Sequence, residues 1–194
     1  AFLLSFSEFI QSYGYLIIVF VAGAIFIWKR LDKDPKTRLQ KHGFLLSLPM
    51  IGTLILYKEC AVFSRTLGAL LGAGIPLIRA LRVSREVVAN EVLTQHLLQV
   101  EEDVRGGAGL GLSLERTNQF PTLLHQLVAV GEESGRTAEI LLKSAITFDN
   151  YVRNQLAALV AALQPALIIF LAIAVGGITI TMLSAVFSMN AVDF

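Results

Sequence analysis

Two acids and a serine stand between two glycines at Gly131-Glu132-Glu133-Ser134-Gly135, just after one apolar run and just before another. A carboxylate fixed at such a joint can accept charge-assisted hydrogen bonds from a helix N-terminus or from a basic side chain such as Arg136. It would then tie two helices together or meet a partner. The same residues also fit a plain turn, with Gly135 ending one helix and the acids complementing the N-terminus of the next. Other groups with chemical potential point away from catalysis. The glycines of Gly106–Gly111 are followed by Leu112-Ser113, with no lysine to reach a phosphate, so they read as an inter-helix loop. His42, His96 and His125 are far apart and lack a helical partner four residues away, so neither a metal site nor another cofactor site is expected. Cys60 is the single cysteine, which excludes an intrachain disulfide and a redox pair, and it reads as a small buried apolar residue. Glu101-Glu102-Asp103 ends a helical pattern and reads as a solvated face, or else as a docking patch for a basic partner.

The elements that must carry these residues are set by the distribution of charge. All sixteen Lys and Arg residues fall between Lys29 and Arg153, and both ends of the chain are apolar. Phe9–Trp28 is twenty residues without a charge, and Asn154–Val192 is thirty-nine. About 20 apolar residues suffice for a helix to cross a bilayer, so each end supplies one span. Lys29, Arg30, Lys33, Lys36, Arg38 and Lys41 crowd the inner end of the first, and Arg153 marks the start of the second. Basic residues beside spans stay cytoplasmic, which places Ala1–Glu8 and the tail 189–194 outside and the intervening domain inside. The basic cluster can also touch anionic membrane lipid. A net charge of +1, almost balanced within the interior, argues against a nucleic-acid surface. No basic stretch precedes the first span and no small-residue cleavage pattern follows it, so it does not read as a signal peptide. The first residue is Ala, from which further sequence upstream is expected.

The predicted fold is all-α, with two transmembrane helices, over 9–28 and 156–188, flanking a cytoplasmic helical bundle over 58–153. Residues 29–57 form a basic, membrane-proximal connector that starts a helix at Pro35. Within it Gly43–Tyr57 is too short and too broken by Pro49 and Gly52 to be a third span, and it reads as a membrane-surface or core-covering segment. In the domain, Phe63, Leu67, Leu70 and Leu71 form one apolar face. Pro76 opens a helix, and Asn90 caps the next, whose stripe is Leu93, Leu97, Val100 and Val104. Ser113 caps a short turn, and Pro121 opens a helix to about Val130. Leu141, Ala145, Phe148, Val152, Leu156, Leu159 and Leu163 keep helical spacing from the domain into the membrane, predicting one stiff rod. The expected core comprises Phe63, Leu67, Leu70, Leu97, Val104, Leu127, Leu141 and Phe148.

Taken in order, Leu48-Pro49-Met50-Ile51-Gly52, Ala73-Gly74-Ile75-Pro76-Leu77, Phe120-Pro121, Gly131–Gly135 and the Pro165 span with Val175-Gly176-Gly177 resemble the inner-membrane platform proteins of type II secretion and type IV pilus systems. The match covers nearly the whole chain and looks like the second of two homologous domains with its flanking spans. One departure is Gln164, where many relatives carry a glutamate before the span proline. The resemblance implies a scaffold rather than an enzyme, in the bacterial inner membrane. Its partners would be a hexameric assembly ATPase, pilins or pseudopilins and other inner-membrane assembly proteins. It also nominates Gly74, Pro76, Phe120, Pro121, Gly131, Glu132, Glu133, Ser134, Gly135, Gln164 and Pro165 as motif and coupling positions. Self-association is expected, with Gly68 and Gly72 as a close-approach face. A membrane-anchored helical adaptor or sensor is the alternative; a small transporter fits less well, because neither span carries a charge.

Overall fold

The computed structural model describes residues 35–190, and every regular element among them is a helix. The span expected over 9–28, the segments 1–8 and 29–34 and the tail 191–194 lie outside the described residues. The chain divides into two compact units, one of Asp32–Leu156 and one of Ala1–Leu31 with Ala157–Phe194.

The first of these is a helical bundle. Helix α1 is Pro35–Ser47 and α2 is Ile51–Gly72; together they occupy the described part of the connector and run past position 58 into the domain. Between them the chain reverses so sharply that a Cβ on Gly52 would collide with the carbonyl oxygen of Leu46. Met50 takes a positive φ of 68° with ψ −53° to make this corner, a sparsely populated conformation costing a non-glycine residue roughly 1–3 kcal/mol. Helix α3 (Leu77–Glu86) follows an extended Pro76, whose fixed φ presets the helix start. Helix α4 (Glu91–Arg105) is capped by Asn90, which accepts from the N–H groups of Val92 and Leu93 at 3.0 and 3.3 Å. Its expected stripe, Leu93, Leu97, Val100 and Val104, is buried. Helix α5 is Leu110–Arg116, α6 is Thr122–Ser134, and α7 is a 54-residue helix, Thr137–Asn190.

Helices α2 and α7 run antiparallel and close. A Cβ on Gly68 would lie 3.0 Å from the Ala138 carbonyl oxygen and 3.1 Å from Leu141 Cβ. One end further on, Tyr57 stacks on Tyr151 at 4.1 Å and meets the edge of Phe148 at 5.5 Å. Arg65 of α2 pairs with Asp149 of α7. Gly68 is therefore filled from within the chain and is not open to a second copy.

The core departs from expectation in two places, at Leu127 and at Leu70, and the rod's stripe leaves it after Phe148. Helix α6 buries Leu124 and Val128, while Leu127 is only half-buried, because the packed face carries Gly131 one turn on. Leu70 packs at the edge of the core. Along α7, Leu141, Ala145 and Phe148 are buried, but Leu156, Leu159 and Leu163 are exposed. Each buried Leu or Phe contributes about 1.5–3 kcal/mol.

In the second unit, the described part of α7 is long and apolar enough to cross a membrane, and its apolar window is not buried. Pro165 lies inside it and leaves the Ala161 carbonyl without its helical donor. The hydroxyls of Thr179 and Thr181 donate to carbonyls one turn back, at Val175 and Gly177. That leaves no free hydroxyl donor at either residue, as an apolar solvent demands.

Candidate functional site

Three helices of the bundle end in the same way at its one end. At α2 the amide of Gly74 donates to Leu71 and that of Ile75 to Leu70. At α4, Gly107 donates to Val104 and Ala108 to Asp103, and at α6, Gly135 donates to Glu132 and Arg136 to Gly131. Each is a Schellman closure, with φ of 79°, 95° and 66° at the three glycines. At Gly74 and Gly135 a side chain would be strained although space is open around both.

These closures deliver the Gly131–Gly135 segment to the N-terminus of α5. The Glu132 carboxylate accepts from the Leu110 N–H at 2.6 Å and from the Gly111 N–H at 2.8 Å. It caps a helix that begins twenty-odd residues earlier in the chain, in place of any side chain from α5 itself. Gly109, at the cap position, supplies none, and a Cβ there would lie 3.3 Å from Glu132 Oε2. Two N–H groups that α5 leaves unpaired are thus satisfied by one negative charge at the positive end of its dipole. Ser113, expected to cap this helix, sits buried inside it and donates to the Gly109 carbonyl. Nor does Arg136 hold Glu132. It pairs with Glu139, which Lys143 also binds, and the hydrogen bonds from Lys143 and then Arg136 draw the Glu139 carboxyl below its usual range.

The joint is also tightly packed. A Cβ on Gly131 would lie 3.0 Å from Thr137 Cα, and one on Gly111 would lie 2.8–2.9 Å from the backbone of Ala129. Ser134 donates to the Val130 carbonyl at 2.7 Å, and Glu133 is exposed. Beside Glu132 opens a cleft of about 430 Å³, lined by Leu71, Leu77, Glu132, Gly135, Thr137 and Ala138. The structure therefore brings Gly74, Pro76 and Gly131–Gly135 to one end of the bundle. It leaves Phe120 and Pro121 elsewhere: Phe120 is buried and stacks on Phe63 at 6.5 Å, and Pro121 precedes α6. Gln164 and Pro165 belong to the exposed, apolar part of α7.

Other polar positions work at long range. Glu101 is not part of a solvated face: it is 3 % exposed, and its Oε1 accepts from Arg82 at 3.1 Å and Arg105 at 2.7 Å, with Arg85 3.5 Å from Oε2. Glu59, equally buried, accepts from the Ala89 N–H at 2.8 Å. His42 Nδ1 accepts from the Glu91 N–H at 2.9 Å, fixing α1 to the start of α4. The signal for the two acids was present in the periodicity. Glu101 follows Leu97 by four residues and Glu59 precedes Phe63 by four, so both occupy stripe positions.

An all-α bundle whose last helix continues as a segment apolar enough to cross a membrane, with its glycine-marked joints gathered at one end, defines a helical membrane-associated domain. The chain belongs to the type II secretion system protein F family, whose model matches residues 63–185. It is 31% identical over 188 residues to the type II secretion system protein F of Pseudomonas aeruginosa, covering 97% of this chain and 46% of that protein. To the type IV pilus assembly protein PilC of the same organism it is 32% identical over 187 residues, covering 96% of this chain and 50% of the relative. The type II secretion system protein F of Vibrio cholerae is 32% identical over 189 residues, covering 97% and 47%. The chain spans about half the length of the curated relatives it matches.

Proposed function

We propose that this chain forms part of an inner-membrane platform for a type II secretion or type IV pilus machine. In this reading its bundle faces the cytoplasm and couples an assembly ATPase to extraction of pilin or pseudopilin from the membrane. Family membership over residues 63–185 is the observation that carries it, since relatives named for secretion and for pilus assembly match at similar identity. The geometry is compatible with a coupling element. Glu132 locks the α6–α7 joint to α5, so a load applied at that end is shared between α5 and α6 as it enters α7. The protein would be multi-pass, with its second span over 156–188 and its tail outside, and would act without catalysis of its own. Self-association and contacts with other inner-membrane assembly proteins belong to the same proposal.

A photo-crosslinking residue placed at the exposed Glu133 position tests this in cells that assemble the fibre or secrete. Adducts with the assembly ATPase or another assembly protein are expected. Adducts confined to soluble signalling proteins would instead favour a membrane-anchored adaptor.

A further inference from the structure

Glu101 is held by more positive charge than its burial requires. Its carboxylate draws Arg82 and Arg85 from α3 and Arg105 from its own helix, α4. A buried acid has to be paired, but one arginine fork can bind both oxygens of a carboxylate. Here Arg82 and Arg105 both donate to the single oxygen Oε1, so two like charges are held side by side. Oε2 and the Arg85 Nε are both buried, lie 3.5 Å apart and make no hydrogen bond. Three guanidinium ions against one carboxylate leave the cluster strongly positive.

That surplus is turned to solvent. The side chains of Arg82 and Arg105 are 54% and 53% exposed, and each uses one N–H on Glu101 and keeps the rest of its donors. Glu86 and Glu102, next in the chain to Arg85 and Glu101, are exposed acids within reach of the same surface. Among the described residues no ion pair joins either of them to the three arginines. Apolar positions flank the charges. Leu98, Glu101 and Arg105 follow one another at three and four residues on α4, and Ile78, Arg82 and Arg85 at four and three on α3, so each set shares a helix face. Ile78 packs at the edge of the core, whereas Leu98 is 41% exposed. A small inorganic anion has no use for that leucine. A peptide carrying carboxylates beside an apolar side chain matches both parts of the surface.

We propose that the Arg82–Arg85–Arg105 cluster is a docking site for an acidic segment of a partner protein. The partner's carboxylates bind the free edges of Arg82 and Arg105, and an apolar side chain beside them covers Leu98. Glu101 is the floor of the site: it holds the guanidinium forks in place before the partner arrives, which reduces the ordering cost of binding. This goes beyond the platform reading and does not require it.

The full chain in phosphatidylcholine nanodiscs would be titrated into a fluorescein-labelled peptide of repeating Glu-Glu-Leu, with binding read as anisotropy. The same peptide with Gln in place of Glu is the uncharged control and should not bind. Arg82→Gln with Arg105→Gln should weaken binding about tenfold or more. Arg82→Gln alone leaves Arg85 and Arg105 on Glu101, so it should weaken binding with the thermal midpoint unchanged. Arg82→Lys, which keeps the charge and loses the fork, should recover only part of the affinity. Leu98→Ser should also weaken binding, and Arg116→Gln, which removes an exposed arginine from α5, should not. Absence of binding to the unsubstituted chain, or equal affinity in Arg82→Gln, would overturn the proposal. So would equal losses in Arg82→Gln and Arg116→Gln, which would mean that the peptide reads overall charge only. Displacement of the peptide by inorganic phosphate at matching concentration would overturn it too, making the cluster a phosphate site.

Discussion

Glu132 fastens the Gly131–Gly135 motif to the start of α5. Its carboxylate satisfies two amides of α5, and losing a side-chain cap at a helix N-terminus costs about 0.5–2 kcal/mol. Glu132→Ala should therefore lower the stability of the purified protein by up to about 2 kcal/mol, read as a reduced thermal midpoint. Glu132→Gln, which keeps an acceptor oxygen, should recover part of the loss. An unchanged midpoint for the alanine variant would mean that water replaces the cap without cost. The sequence showed that an acid at this joint could serve a helix N-terminus or a basic side chain. It could not show which, because α5 lies some twenty residues away and Gly109, lacking a side chain, advertises no missing cap. The burial of Glu101 was hidden for a related reason. Two exposed-looking acids beside it mask its place on the Leu97–Val104 stripe, and its arginines arrive partly from another helix.

At the scale of elements, close helix approach depends on particular glycines, and they can be told apart. Gly111 faces the Ala129 backbone at contact distances that no Cβ tolerates, whereas Gly72, at the end of α2, has open space around it. Gly111→Ala should destabilise the bundle by about 1–3 kcal/mol by forcing α5 from α6. Gly72→Ala should be neutral or stabilising by up to about 1 kcal/mol. Chemical denaturation of the two variants side by side checks this, and equal effects would contradict the packing described. Helix identities were legible from caps and periodicity. Asn90, Pro35 and the α4 stripe are where the residue pattern placed them. The rotation of α6, burying Leu124 and Val128 ahead of Leu127, was not legible. An apolar run of Leu123-Leu124 and Leu127-Val128 offers overlapping faces, and only the tight contact at Gly131 selects one.

For the whole molecule, charge segregation and the apolar run from Asn154 predict a bundle on the cytoplasmic side. Accessibility labelling can test that without removing the native thiol. Cys60 is 1% exposed, and burial, with Glu59 beside it, pushes its thiol pKa far above the usual range, so the reactive thiolate is suppressed at neutral pH. The unsubstituted protein should stay unlabelled by maleimide until it is denatured. A cysteine at the exposed Glu102 should label from the cytoplasmic face only, and cysteines at Ser5 and Asp193 from outside; external labelling at Glu102 would overturn the topology.

The claim that joins these scales is that the Gly131–Gly135 end of the bundle is where a partner's force enters. Glu133 tests it most directly, since it is exposed and surface substitutions of this kind usually change stability by no more than about 0.5 kcal/mol. In a strain whose own copy is deleted, the complete protein carrying Glu133→Arg should be compared with wild type for membrane abundance and for fibre assembly or secretion. The account predicts normal abundance with assembly lost. Normal assembly at normal abundance would contradict it and leave Gly131–Gly135 as a turn that Glu132 merely fastens.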